Sequence, residues 1–188
     1  MHEIEPHYGW EKYYKAQDDK LSPFYGMHYN LNEYSTTIYG YYIHPLWDDI
    51  GSETLFVKVL YVDYKNSVAI IELFGEWNDA LHNDVMFLKR NLIDYMTKRG
   101  IKYFILLGEN VMNFHGSDDC YYEEWFEDAE DGWIATINFR YFVLDEWKKF
   151  GIATYLLSGE FLDMDNWRTL HPNKLFEFVN EKVNRLLN

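Results

Sequence analysis

A mixed α/β fold is predicted by three observations. Two apolar runs, at residues 55–64 and 68–74, are separated by the turn residues Lys65-Asn66-Ser67. Helical and strand patterns then succeed one another to the C-terminus, and glycines or capping residues stand at the changeovers. The expected architecture is a mostly parallel sheet with an antiparallel edge hairpin and covering helices, preceded by an aromatic-rich N-terminal arm. The spacing divides the chain into an arm at 1–54, packed on the domain, and an α/β unit at 55–188.

The arm is distinguished by composition: nine of the 17 tyrosines lie in the first fifty residues, with Trp10, Phe24 and Trp47, among few aliphatics. Tyr8, Trp10, Tyr13 and Tyr14 suit a short helix, Ser22-Pro23 and Gly26 punctuate the chain, and Thr37 to Ile43 has strand composition. Leu55 to Tyr64 and Val68 to Phe74 form the hairpin. Asn83 is placed to cap a helix in which Val85, Leu88, Leu92, Ile93 and Met96 share a face, ending at Gly100.

Lys102 to Leu107 reads as a strand, and Ser117 or Asp118 as the start of an acidic helix that buries Tyr121, Tyr122, Trp125, Phe126 and Ala129. A strand at Trp133 to Phe139, a helix through Val143 and Trp147 to Gly151, a strand at Ile152 to Leu157 and an amphipathic helix at Asn173 to Leu187 complete the order. Parallel strands so connected require right-handed crossovers.

Composition excludes several function classes. With 31 Asp+Glu against 17 Lys+Arg, the formal charge of -14 repels phosphate backbones and anionic lipid, so no nucleic-acid or membrane partner is expected. No stretch reaches the roughly 18 to 20 apolar residues of a membrane span. The start lacks a basic and then apolar signal, and the lone Cys120 fits a reducing compartment; a cytoplasmic location is expected.

Ligands of open parallel sheets gather beyond the carboxyl ends of the strands. Three expected strands end on Gly-Glu: Gly75-Glu76, Gly108-Glu109 and Gly159-Glu160. If those strands are parallel, the three carboxylates share one rim with Trp77, Asn78, Asp79, His82, Asn110, Asn113, His115, Asn138 and Arg140. The ligand-binding candidates are therefore Glu76, Trp77, Glu109, Asn110, His115, Arg140 and Glu160. Converging carboxylates and histidines suit a divalent cation or divided acid and base roles. Equally, glycine permits a sharp turn and glutamate is the solvated residue after it.

Other patterns are weaker. Residues 118–131 hold eight acids and no base, either a docking face for a basic partner or a solvated helix face. His44-Pro45-Leu46-Trp47-Asp48-Asp49 lacks metal-ligand spacing, and its apolar members suit pinning the arm. Cys120 in acidic surroundings is a poor nucleophile and reads as structural. Dinucleotide and P-loop fingerprints are absent. No catalytic residue, cofactor or metal is assigned.

The element order from Leu55 resembles the STAS or SpoIIAA-like family, in which an antiparallel hairpin precedes alternating helices and strands. The run Asn113-Phe114-His115-Gly116-Ser117, opening a helix that carries Trp125, is similar to that family's loop-helix junction. The resemblance implies a binding role, and Ser117 is the position that matches the serine phosphorylated in the family's anti-sigma-factor antagonists. The leading expectation is a cytoplasmic, non-catalytic binding or regulatory module for a protein or small-molecule partner. The alternatives are a small hydrolase or metal-dependent enzyme using the strand-end glutamates, and a carbohydrate binder using the tyrosine-rich arm. A homodimer is compatible with either the arm or a sheet edge.

Overall fold

A computed structural model describes residues 2–34 and 37–187. Its centre is a four-stranded sheet of β4 (Leu55–Asp63), β5 (Val68–Asn78), β6 (Tyr103–His115) and β7 (Trp133–Ile137), in that spatial order. β4 and β5 form the expected antiparallel hairpin, and β5, β6 and β7 are parallel. A smaller sheet in the N-terminal segment joins β1 (His2–Ile4), β2 (Thr37–Ile38) and β3 (Tyr41–Ile43) in the order β1-β3-β2.

The expected helix after Asn83 runs as α1 (Asp84–Leu88), a π-helical turn at Lys89–Ile93 and α2 (Asp94–Thr97). It is followed by α3 (Cys120–Asp128), α4 (Tyr141–Lys149) and α5 (Pro172–Leu187). Val85, Leu88, Leu92, Tyr122, Trp125, Val143 and Trp147 bury one face of the sheet, against Ala69, Ile71, Phe104 and Leu106. Consecutive parallel strands stepping in one direction keep their crossovers on one face. The opposite face, Val68, Ile70, Ile105 and Leu107, is covered by Leu175, Val179 and Val183 of α5 together with Trp10 and Trp167.

Several expectations are corrected. Residues 8–14 form successive turns, with Glu11 N–H on Tyr8 O and Tyr13 N–H on Trp10 O, because Gly9 and the dense aromatics disfavour a helix. Ile152 to Leu157 is not a strand: Ile152–Thr154 is a 3₁₀ turn that buries Ile152 and Leu156 at helical spacing, and only Leu157 bridges to Ala135. β6 continues eight residues past the expected end at Leu107. Asn83 makes no side-chain cap; instead Asp79 Oδ1 accepts the Val85 N–H at 2.8 Å. Phe126 is exposed, one position beyond the buried Trp125, and Cys120 is exposed rather than structural.

Strand β6 outruns β7. The last β6–β7 pair is Leu107 with Ile137, so Gly108 to His115 pair only with β5. Helix α4 lies beside this extension, bracketed by two close approaches that only glycine permits. An added Cβ would meet the Phe139 ring at 2.2 Å from Gly108 and the Phe150 ring at 2.4 Å from Gly116.

The N-terminal segment contributes to the core rather than lying loose on it. Trp10 is 2% exposed, donates from Nε1 to Leu170 O at 2.8 Å, and meets Trp167 edge-on at 5.4 Å. Its truncation leaves a large void against two elements. Trp10→Ala is expected to lower the unfolding free energy by about 3–5 kcal/mol in urea titration, the range for a buried tryptophan.

Candidate functional site

The strand ends assemble one polar cluster from residues far apart in sequence. β5 carries Glu76 opposite Asn113 of β6, and Asn78 opposite His115. Glu76 Oε1 accepts the Asn78 amide at 2.9 Å and lies 3.1 Å from His115 Nε2. Its Oε2 accepts the Tyr39 hydroxyl from the N-terminal segment, and Asn113 Nδ2 lies 3.0 Å from the same His115 nitrogen. Glu76 is half-buried and His115 exposed, so the cluster opens to solvent.

Beside it an open groove runs between the β6 extension and α4, lined by Met112, Asn113, His115, Phe142, Asp145 and Glu146. Two large apolar side chains on the adjoining segments are exposed. Leu81, 81% exposed, follows Ala80, whose N–H bonds His115 O at 3.1 Å; Tyr141, 77% exposed, opens α4.

The remaining candidates do not join this cluster. Trp77 is fully buried, donates to Asp79 Oδ1 at 3.1 Å and stacks on Tyr122 at 6.0 Å, which makes it a core residue. Glu109 is half-buried and paired with Arg168. Glu160 is exposed in a turn beyond Gly159, because the strand expected before it is not formed. Asn110 is half-buried opposite Phe74, and Arg140 is exposed at the start of α4 with no ion pair among the described residues. Ser117 is exposed and precedes α3 without capping it; Asp118 Oδ1 accepts the Cys120 N–H instead, at 3.2 Å. The three strand-end glutamates therefore lie in three surroundings, with no convergent acid–base pair.

Two buried carboxylate centres lie behind this surface. Asp84 is fully buried at the start of α1 and accepts Ser52 Oγ at 2.6 Å, Thr54 Oγ1 at 2.7 Å and the Asn78 N–H at 2.7 Å. Asp79 accepts Trp77, Val85 and the buried Tyr122 hydroxyl. Burial pushes its pKa up to about 6, against the Tyr122 and Val85 bonds that favour the anion, with Asp84 adding to the rise. Together they lock the loop between β5 and α1.

The second centre was hidden in an apolar run. Glu72, at the middle of β5, is fully buried: Oε2 accepts the His7 N–H at 2.7 Å, while Oε1 accepts no hydrogen bond among the described residues and has Arg168 Nη2 at 3.5 Å. Burial pushes Glu72 up to about 7, opposed by the His7 N–H and Arg168 and assisted by Glu109. A lone acid between Ile71 and Leu73 was the only signal for it in the sequence.

The acidic segment has internal partners. Lys89, fully buried, pairs with Asp94, Glu124 and Asp128, and Arg90 grips Glu124 with both Nη1 and Nη2. Burial lowers the Lys89 pKa, yet hydrogen bonds to Asp128 and Asp94 outweigh it and raise it overall. Those three acids are near enough to one another for a cation, but the ammonium already serves them. A concavity of about 750 Å³ lies against Tyr29, Tyr34, His44, Trp47 and Phe56. There Trp47 is buried, the Tyr29 hydroxyl is committed to Asp48 and Tyr34 is exposed.

No family model and no curated protein sequence matches the chain. Among solved structures the chain is similar to the anti-sigma factor antagonist SpoIIAA in its unphosphorylated form, with a TM-score of 0.47 and 14% identity. The alignment covers 66% of this chain and 96% of that one. No helix among the described residues is long and apolar enough to cross a membrane.

The buried acids make stability depend on pH. A carboxyl whose pKa is higher folded than unfolded binds its proton more tightly when folded, so the unfolding free energy falls as pH rises through that interval. Asp79 acts between its ordinary 3.8 and about 6, and Glu72 between 4.5 and about 7. His7, which burial and Arg168 lower, acts in the opposite sense below 6.5. Above pH 6.5 the decline contributed by Glu72 continues to about pH 7. In Glu72→Gln that decline is expected to vanish and the protein at pH 8 to gain about 1–3 kcal/mol, measured by denaturant unfolding across pH.

Proposed function

We propose that this chain is a non-catalytic binding or regulatory module that engages a protein partner through the surface where β6 outruns β7. The observation that carries this reading is the open groove between the β6 extension and α4, with the exposed Tyr141 opening α4 and the exposed Leu81 in the turn after β5. Large apolar side chains held outward on rigid elements are the usual anchors of a protein interface. Around them Asn113, His115 and Asp145 supply a polar rim that stays wet until docking.

The geometry favours this over the enzyme alternative. A hydrolase of the expected kind needs two carboxylates facing one substrate from an enclosed site. Here Glu76 is bound by Tyr39, Asn78 and His115, Glu109 by Arg168, and Glu160 stands alone in a turn. The net charge of -14 directs the choice of partner toward basic proteins and away from nucleic acid.

The test compares capture from cell extract by the unmodified chain, a Leu81→Asp/Tyr141→Asp variant and a Tyr8→Asp control on the N-terminal segment. The expected result is a protein retained by the first and third and reduced about tenfold or more by the second. Melting temperatures of all three are expected to agree within about 2 °C, since the altered side chains are exposed. Equal retention by every variant would remove this surface from the interface.

A further inference from the structure

The sheet has two outer edges, each carrying one bridge, and one inner step that carries none among the described residues. The outer edge of β4 is closed by Asp48, whose N–H donates to Val57 O at 2.7 Å and whose Oδ2 accepts the Val59 N–H at 3.0 Å. The outer edge of β7 is closed by Leu157, which exchanges bonds with Ile134 O and Thr136 N–H at 2.8 Å each. From Gly108 to His115, β6 has no strand or bridge on its β7 side among the described residues. Those eight residues span about 26 Å of strand.

Such an edge carries a row of backbone donors and acceptors ready for another strand, and proteins that keep one from pairing place lysine or proline on it. The stretch Gly-Glu-Asn-Val-Met-Asn-Phe-His has neither, its only edge devices being Glu109 and two irregularities in its register with β5. Carboxylates line the α4 side of the groove, at Asp145 and Glu146. Lys148 and Lys149 pair with the two α4 acids as exposed neighbours on one helix, contacts weak enough to exchange.

We propose that the β7-side edge of β6, from Gly108 to His115, receives an extended basic segment of a partner protein as an added strand, with α4 as its wall. Backbone bonds to β6 supply the affinity, and lysine or arginine side chains meeting Asp145 and Glu146 supply the selectivity. The -14 charge of the chain favours such a segment over a second copy of itself. This rests on the reading of the same surface as a protein-binding site.

The probe is a synthetic nonapeptide alternating valine and lysine, with a valine–glutamate peptide as its counterpart, against the full chain. The expected result is saturable binding of the lysine peptide only, weakened by added salt, with slowed amide hydrogen exchange confined to residues 108–115. Asp145→Lys/Glu146→Lys is expected to weaken it about tenfold without changing the melting temperature. Binding without protection of those amides, or equal binding of both peptides, overturns the strand-addition proposal. Concentration-dependent doubling of mass with protection of 108–115 in the absence of peptide assigns the edge to a second copy and overturns it likewise. No peptide binding, while capture still depends on Leu81 and Tyr141, overturns strand addition and leaves the interface standing; loss of both results overturns both.

Discussion

Strand β5 has to be buried on both faces along its whole length, and most of the structure answers that requirement. Ten of its eleven residues are buried, the exception being Glu76. One face is covered by α1 and α2 near Ala69 and Ile71, and by α3 and α4 near Trp77. On the other, α5 reaches Val68 and Ile70, while the N-terminal sheet covers Phe74 through Ile43 and Trp47. Glu72 lies at the seam between those two covers. A carboxylate there is tolerable only with a donor brought to it, and His7 with Arg168 supplies the N–H and the charge. The N-terminal segment is thus required both by apolar surface and by one buried acid.

Charge is handled within the fold to an extent that the net value conceals. Asp48 is buried with Lys58 at 3.1 Å and the Tyr29 hydroxyl, and burial raises its pKa against the pull of Lys58. Lys89 gathers three acids from two helices. Removing a single partner from such a group leaves a stranded buried charge, which costs more than the intact group contributes. The acids left to face solvent are chiefly those of α3 and the loops, and they set the long-range field that a partner meets first.

Much of the fold was legible because its signals were periodic. The hairpin, the helix ending at Gly100, α4 and α5 each followed an alternation or a helical stripe bounded by glycine or a turn. Two stretches misled. Ile152 to Leu157 is short enough to serve strand or helix, and the contacts of Ile152 and Leu156 with one core decided for helical spacing. Gly108-Glu109-Asn110 has the polarity of a loop, yet β6 continues through it because only one of its faces is enclosed beyond Leu107. The candidate site was half visible: Glu76, Asn113 and His115 were singled out, but Tyr39 and Arg168 come from distant segments that no local pattern links to them. Glu72 stayed hidden because a single acid does not break an apolar run.

The unequal lengths of β6 and β7 connect fold to function. Had β7 matched its neighbour, Phe139 would not turn across Gly108 and α4 would start farther along the sheet. The chain instead spends its close packing on setting α4 beside β6, with aromatic rings seated on glycine at both ends of the gap. The backbone in between keeps its strand conformation through β5 alone, and Phe114 takes its N–H partner from Asn113 of its own strand at 3.0 Å. A side chain that satisfies the backbone locally can yield to a better partner at little cost, because the exchange trades one hydrogen bond for another. The extension is therefore held in shape by β5, while at Phe114 its backbone bond is one that a better partner could replace.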